Sequence, residues 1–203
     1  MSGGPVLLVA ALYLLAGMAL AVVAMLWQQR RTARRTEAWD LYRLVADEVG
    51  GLEVVATAAG WPRLRGRVDG VEVEIDDDNH LGRGSSGLLG LRCRLPELEG
   101  TADVALWLGP APAFFADLLG PPKSLGDRDL ELYDLFTRAE GGGSDWWQDV
   151  VLLETLRTLP GGRVWKRDDQ LLVLFDHLEA DVVRSVLTVP GLLRHAASRP
   201  TLH

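Results

Sequence analysis

The sequence predicts an α+β protein in which a single N-terminal transmembrane helix precedes a soluble domain of antiparallel β-strands packed with helices. Three observations support this prediction. The N-terminus carries a long apolar run, short alternating segments separated by Gly and Asp turns fill the middle, and segments with helical periodicity stand on either side of them.

The apolar run extends over 5–27 and holds 23 residues without a charge. As a helix it would be about 35 Å long, which is enough to cross a hydrocarbon core of about 30 Å. A signal peptide would have a basic start and a shorter apolar stretch. We therefore predict a short extracytoplasmic N-terminus over 1–4 and a transmembrane helix over 5–27.

Four arginines follow this run directly, namely Arg30, Arg31, Arg34 and Arg35, with Trp27 just before them. Positively charged flanks stay on the cytoplasmic side, and Trp is common at membrane interfaces. These five residues are predicted to lie at a membrane interface. The localisation that follows is the bacterial inner membrane, single-pass, with the N-terminus outside, the domain in the cytoplasm and the lipid bilayer as a partner.

The charge balance excludes one class of partner. Four of the 21 basic residues precede residue 36, which leaves 17 against 28 acidic residues, a net charge of about −11. Nucleic acid binding needs a basic surface, so no nucleic acid partner is predicted.

A juxtamembrane helix is predicted over 28–49, because Trp39, Tyr42, Val45 and Val49 recur at helical spacing and no Gly or Pro interrupts it. Gly50-Gly51 supplies its end. The apolar helix is expected to continue into it without a break.

The domain over 50–203 alternates like a sheet. Strands are predicted at 52–58, 63–70, 71–76, 88–96, 102–109, 130–136, 162–167 and 171–176. Asp69-Gly70 is the strongest hairpin signal. The Pro-rich segment 109–128 marks a possible subdivision, with a helical turn at 114–118. Helices are predicted at 148–159 and from Glu179, the latter disturbed at Pro190-Gly191. The order of helix, Gly-Gly, strand, turn and strand occurs twice, either as a duplication or as two ordinary units.

Three segments carry a resemblance, GRVDGVEVEI (66–75), LGDRDLELYDLF (125–136) and LLETLRTLPGG (152–162). With them the chain resembles an uncharacterised group of membrane-anchored bacterial proteins with a domain of unknown function. The resemblance covers most of the domain and supports its architecture, but it implies no catalytic residue.

The segment GRGSSG at 82–87 matches G-x-G-x-x-G. A dinucleotide site needs a strand before this motif and a helix after it, whereas a strand-like segment follows here. A flexible hairpin loop is the favoured interpretation, and no cofactor is predicted.

Five carboxylates and one imidazole lie between Glu72 and His80. Asp76, Asp78 and His80 are the candidate metal ligands, because carboxylate oxygens suit divalent cations. The competing interpretation is a solvated strand edge, since Glu72 and Glu74 alternate with apolar residues.

No catalytic residue is predicted. The histidines show no zinc spacing, and Cys93 shares an alternating strand with Leu91 and Leu95, so it is expected to face the core. Trp146 and Trp147 are adjacent, and on a helix they point about 100° apart. One of them is an interaction candidate, unless both pack in the core.

The preferred functional hypothesis is a membrane-tethered, non-enzymatic interaction or assembly module, an accessory subunit of a larger bacterial complex, with a protein partner or self-association. The alternative is a small-ligand or divalent-metal sensing domain, or an enzyme, with its site at the acidic strand end near 72–80. That site would draw on Glu74, Asp76, Asp78, His80 and Arg92.

Overall fold

The computed structural model describes residues 4–76, 89–108, 111–123, 133–137 and 150–197. They form two compact units, Met1–Asp40 and Leu41–His203, and the division falls inside the first helix. The helices are α1 (Gly4–Val49), α2 (Phe114–Leu119), α3 (Val150–Thr158) and α4 (Ala180–Ala197). The strands are β1 (Leu52–Ala56), β2 (Pro62–Val68), β3 (Val71–Asp76), β4 (Leu89–Arg94), β5 (Val104–Leu108), β6 (Tyr133–Thr137), β7 (Arg163–Arg167) and β8 (Gln170–Phe175).

Helix α1 is continuous and ends before Gly50-Gly51, as the absence of Gly and Pro after Gln28 predicts. Its described apolar side chains run from Tyr13 to Trp27 and are exposed. Gln28, Gln29 and the arginines follow Trp27 directly.

Among the described residues, no helix has both the length and the apolar character required to cross a membrane. The transmembrane helix predicted over 5–27 is therefore wrong, and so is the single-pass inner-membrane localisation that was based on it. The α+β part of the prediction is confirmed.

In the described part of the chain, the eight strands form one antiparallel sheet in the order β1-β2-β3-β4-β8-β7-β5-β6. Asp69 and Gly70 both have positive φ and join β2 to β3, so the predicted hairpin is confirmed. The first four strands follow one another in space, whereas the last four are ordered β6-β5-β7-β8. The two halves therefore differ in strand order.

One face of the sheet, here named the core face, is covered by the end of α1, by α3 and by α4. Tyr42 and Val45 of α1 join the buried side chains of the strands and of α4 in one cluster. Helix α4 continues through Pro190, which is buried, so the expected disturbance there does not end the helix. The opposite face, the open face, carries α2, which packs against β5, β6 and Trp165 of β7. This leaves the β1–β4 part of the open face without a helix among the described residues.

Candidate functional site

A groove of about 940 Å³ lies on the open face. Alternate residues of a strand point to the same face, so the residues opposite the core positions supply its side chains. Five arginines line it, namely Arg65, Arg67, Arg92, Arg94 and Arg167, together with Glu53, Glu72 and Glu74. We name it the arginine groove. It carries more positive than negative charge in a domain that is strongly acidic overall.

One row of side chains crosses six strands within this groove. Paired residues are, in order, Glu53, Arg65, Glu74, Arg92, Leu172 and Trp165. The row alternates in charge and then becomes apolar. Opposite charges on directly paired strands stabilise a sheet, so the charged half of the row supports the fold as well as the groove.

The arginines differ in how firmly they are paired. Arg65 Nε lies 2.6 Å from Glu53 Oε1, and Arg67 Nη2 lies 3.2 Å from Glu72 Oε1. Arg94 Nε is 3.7 Å from Asp169 Oδ2, and the side chain of Arg167 forms no ion pair within the described part of the chain. Exposed ion pairs contribute about 0–1 kcal/mol, so these guanidinium groups can exchange partners at low cost.

Trp165 and Leu172 form the apolar wall of the groove, and both are half-buried. The Trp165 ring contacts Phe114 and Phe115 of α2, with ring centroids 5.8 and 5.5 Å apart. Phe115 in turn contacts Trp107 at 5.0 Å. This aromatic cluster fixes Trp165 at the boundary between the covered and the uncovered part of the open face.

At the acidic strand end, the described carboxylates are paired with an arginine. Arg63 Nη2 lies 3.1 Å from Asp76 Oδ2, and Arg63 Nη1 lies 3.3 Å from Glu74 Oε1. Asp76 is 1% exposed. The described residues contain no group of three or more His, Cys, Asp or Glu side chains that could hold a metal ion.

Several predicted site residues lie outside the described residues, namely Asp78, His80, the GRGSSG segment, Trp146 and Trp147. Trp27 and the four arginines after it are exposed on α1, and the guanidinium of Arg31 lies 5.4 Å from the centre of the Trp27 ring. Their predicted role at a membrane interface depended on the corrected span.

Cys93 is buried and faces the core, as its alternation with Leu91 and Leu95 predicts. Burial raises the pKa of the Cys93 thiol to about 12. The nucleophilic form of a cysteine is the thiolate, so this thiol is unreactive at neutral pH.

Sequence patterns alone do not identify the arginine groove. The sequence does contain part of its signal, because arginines stand two positions apart at Arg65 and Arg67 in β2 and at Arg92 and Arg94 in β4. The pairing of β4 with β8, which brings Arg167 and Trp165 to the same surface, carries no local sequence signal.

No family model matches the chain, and no curated protein matches it. Among solved structures, the chain is similar to the crystal structure of the mycobacterial trehalose monomycolate transport factor A, TtfA. The identity is 15% and the TM-score 0.40, over 78% of this chain and 82% of that one. This likeness is too low to support a functional argument, and it does not bear on the resemblance described above.

Proposed function

We propose that this chain is a non-enzymatic interaction module that binds an acidic, extended segment of a protein partner in the arginine groove. The observation that carries the proposal is the position of five arginines around one open groove in a domain whose net charge is about −11, with 17 basic against 28 acidic residues after residue 35. A local charge opposite to that of the whole domain favours one kind of partner and repels others.

The side chains of the groove suit a peptide. A guanidinium is planar and can donate two parallel hydrogen bonds to one carboxylate. Trp and Arg are also the residues that most often dominate binding energy at protein interfaces. The Trp165 and Leu172 wall beside the arginines would receive an apolar side chain of the same segment.

The groove is less suited to catalysis. Its described lining contains no His, Ser, Thr or Tyr, and its one cysteine, Cys93, is buried with a raised pKa. Glu53 and Glu72 are in ion pairs with neighbouring arginines. These features support a binding role, which is consistent with an accessory subunit of a larger assembly.

The test uses the full chain and a short fluorescein-labelled peptide of alternating Glu and Ser with one central Leu. Fluorescence anisotropy should show saturable binding that weakens with added salt, because the contacts are ionic. The same peptide with Lys in place of Glu should not bind. Tighter binding of a single-stranded oligonucleotide, or equal binding of the two peptides, would overturn the proposal.

Charge reversal locates the binding site. The double variant Arg94→Glu/Arg167→Glu changes two exposed groove residues outside the alternating row, and binding should weaken about tenfold. Arg43→Glu/Arg157→Glu is the matched control, because it makes the same change in net charge at two exposed arginines that do not line the groove. Equal loss in both variants would show that binding follows net charge alone.

A further inference from the structure

Strand β1 forms one edge of the sheet, and its outer side has no partner among the described residues. Gly51 accepts a hydrogen bond from the Arg67 amide at 3.0 Å, and the Thr57 amide donates to Trp61 at 2.8 Å. In an antiparallel pair the bonded residues alternate, so Glu53 and Val55 bond to β2. The backbone groups of Leu52, Val54 and Ala56 therefore point away from the sheet, and no hydrogen bond from another described segment reaches them.

The two edges of the sheet differ in how far another described segment covers them. At the β6 edge, Lys123 and Leu135 exchange two backbone hydrogen bonds, at 2.7 and 3.3 Å. At the β1 edge, the strand LEVVA contains no Pro, Gly or Lys and only one charge. Proteins usually protect an edge strand with such residues or by covering it. The exposed backbone of β1 is therefore suited to pairing with another strand.

The sequence of β1 is complementary to itself in one register. If two copies pair antiparallel about a two-fold axis at Val54, each Val54 faces Val54 of the second copy and Leu52 faces Ala56. Glu53 then faces Val55, so that no like charges oppose each other. Shifting the axis to Glu53 would place two carboxylates directly opposite. The Val54 register pairs every outward-pointing residue of the strand.

The Val54 register also places the core faces of the two copies side by side. Leu52 and Val54 lie on the core face and pack, half-buried, against the main apolar cluster. Their counterparts in the second copy would extend this apolar layer across the axis. In the described residues of the larger unit, large apolar side chains are exposed at Leu44, Val49, Phe114 and Val151. Two of these lie on the helical segment that directly precedes β1.

We propose that the chain forms a two-fold symmetric dimer in which two β1 strands pair antiparallel about Val54 and join the two sheets. A symmetric interface of this type uses the same patch on both copies and closes at two subunits. The proposal is independent of the arginine groove, because β1 pairs through its backbone edge.

The test is the association state of the full chain, measured by sedimentation over a range of concentrations. Val55→Glu places a carboxylate opposite Glu53 of the second copy, while within its own chain it faces Arg63 and so keeps the fold. The dimer should weaken about tenfold. Val151→Glu is the matched control, since Val151 is exposed on α3, and it should leave the dimer unchanged.

Disulfide cross-linking tests the proposed register of the two β1 strands. In a Cys93→Ala background, Val54→Cys should form an intermolecular disulfide under mild oxidation, because paired residues of an antiparallel ladder are about 5.5 Å apart at Cα. Val151→Cys should not. A chain that stays monomeric at every concentration would overturn the proposal. So would a dimer that responds to substitutions between Tyr13 and Trp27 but not to Val55→Glu.

Discussion

Arg63 contacts Asp76 across β2 and β3, with 3.1 Å between Nη2 and Oδ2, and the carboxylate of Asp76 is almost completely buried. Arg63 also reaches Glu74 at 3.3 Å. One guanidinium thus holds two carboxylates at the end of β3, where the sequence suggested metal ligands.

We expect Asp76→Asn to lower the free energy of unfolding by about 2 kcal/mol, because it leaves the partly buried guanidinium of Arg63 with less compensating charge. Glu72→Gln is the control. It weakens the exposed pair with Arg67 on the same two strands and should cost less than about 0.5 kcal/mol. Urea denaturation measures both values. Equal costs for the two variants would contradict this account.

Lys166 is fully buried on the core face, and its Nζ donates to the Thr101 carbonyl at 2.7 Å and lies 3.4 Å from Asp103 Oδ1. Removing one partner of a buried charge costs more than removing the charge itself. Asp103→Ala should therefore destabilise the protein by about 2 kcal/mol, since the Asp168 amide also loses its acceptor.

Lys166→Met, in contrast, should change the free energy of unfolding by less than about 1 kcal/mol, because it replaces the charge with an apolar chain of similar volume. Thermal unfolding of the two variants side by side gives the comparison. A larger loss from Lys166→Met than from Asp103→Ala would contradict this explanation.

Burial raises the pKa of the Cys93 thiol from 9.0 to about 12, so the folded protein keeps its proton at a pH where the unfolded chain loses it. The Cys93 thiol makes its full contribution to the free energy of unfolding below pH 9, and this contribution decreases between pH 9 and pH 12. The slope is at most about 1.4 kcal/mol per pH unit. In Cys93→Ala this part of the decline should disappear in denaturation curves measured at several pH values. An unchanged slope would show that other groups cause the decline.

Gly66 in β2 has φ of 155°, and a Cβ added there would lie 2.1 Å from the Gly51 carbonyl oxygen. Gly66→Ala should therefore destabilise the β1–β2 pair by about 2 kcal/mol or more. Gly50→Ala is the control, because Gly50 also has positive φ but nothing lies within 4 Å of its Cβ position. That change should cost about 1 kcal/mol. Melting temperatures distinguish the two.

Local patterns predicted most of the elements correctly. Alternation identified the strands, and Asp69-Gly70 identified the hairpin, because the positive φ of that turn suits these two residues. The helix break expected at Pro190 does not occur, because the apolar contacts of Val189 and Leu193 keep α4 helical across it.

Local sequence patterns do not predict which strands pair when the strands are far apart in the chain. The register of β4 against β8, which places Leu172 next to Arg92, is decided by packing between segments about eighty residues apart. The arginine groove depends on this pairing, so the sequence indicated its charged rows but not their convergence. The apolar run at the N-terminus was interpreted by length and composition alone, and the described part of α1 does not support a membrane span.

The contrast between the two ends of the sheet has a consequence for aggregation. A sheet that is open at both sides can add subunits repeatedly and grow into a fibre, whereas one that is open only at β1 is terminated once that side is filled. Lys123 pairs with Leu135 on the outer side of β6 and so blocks part of that edge against the addition of further strands.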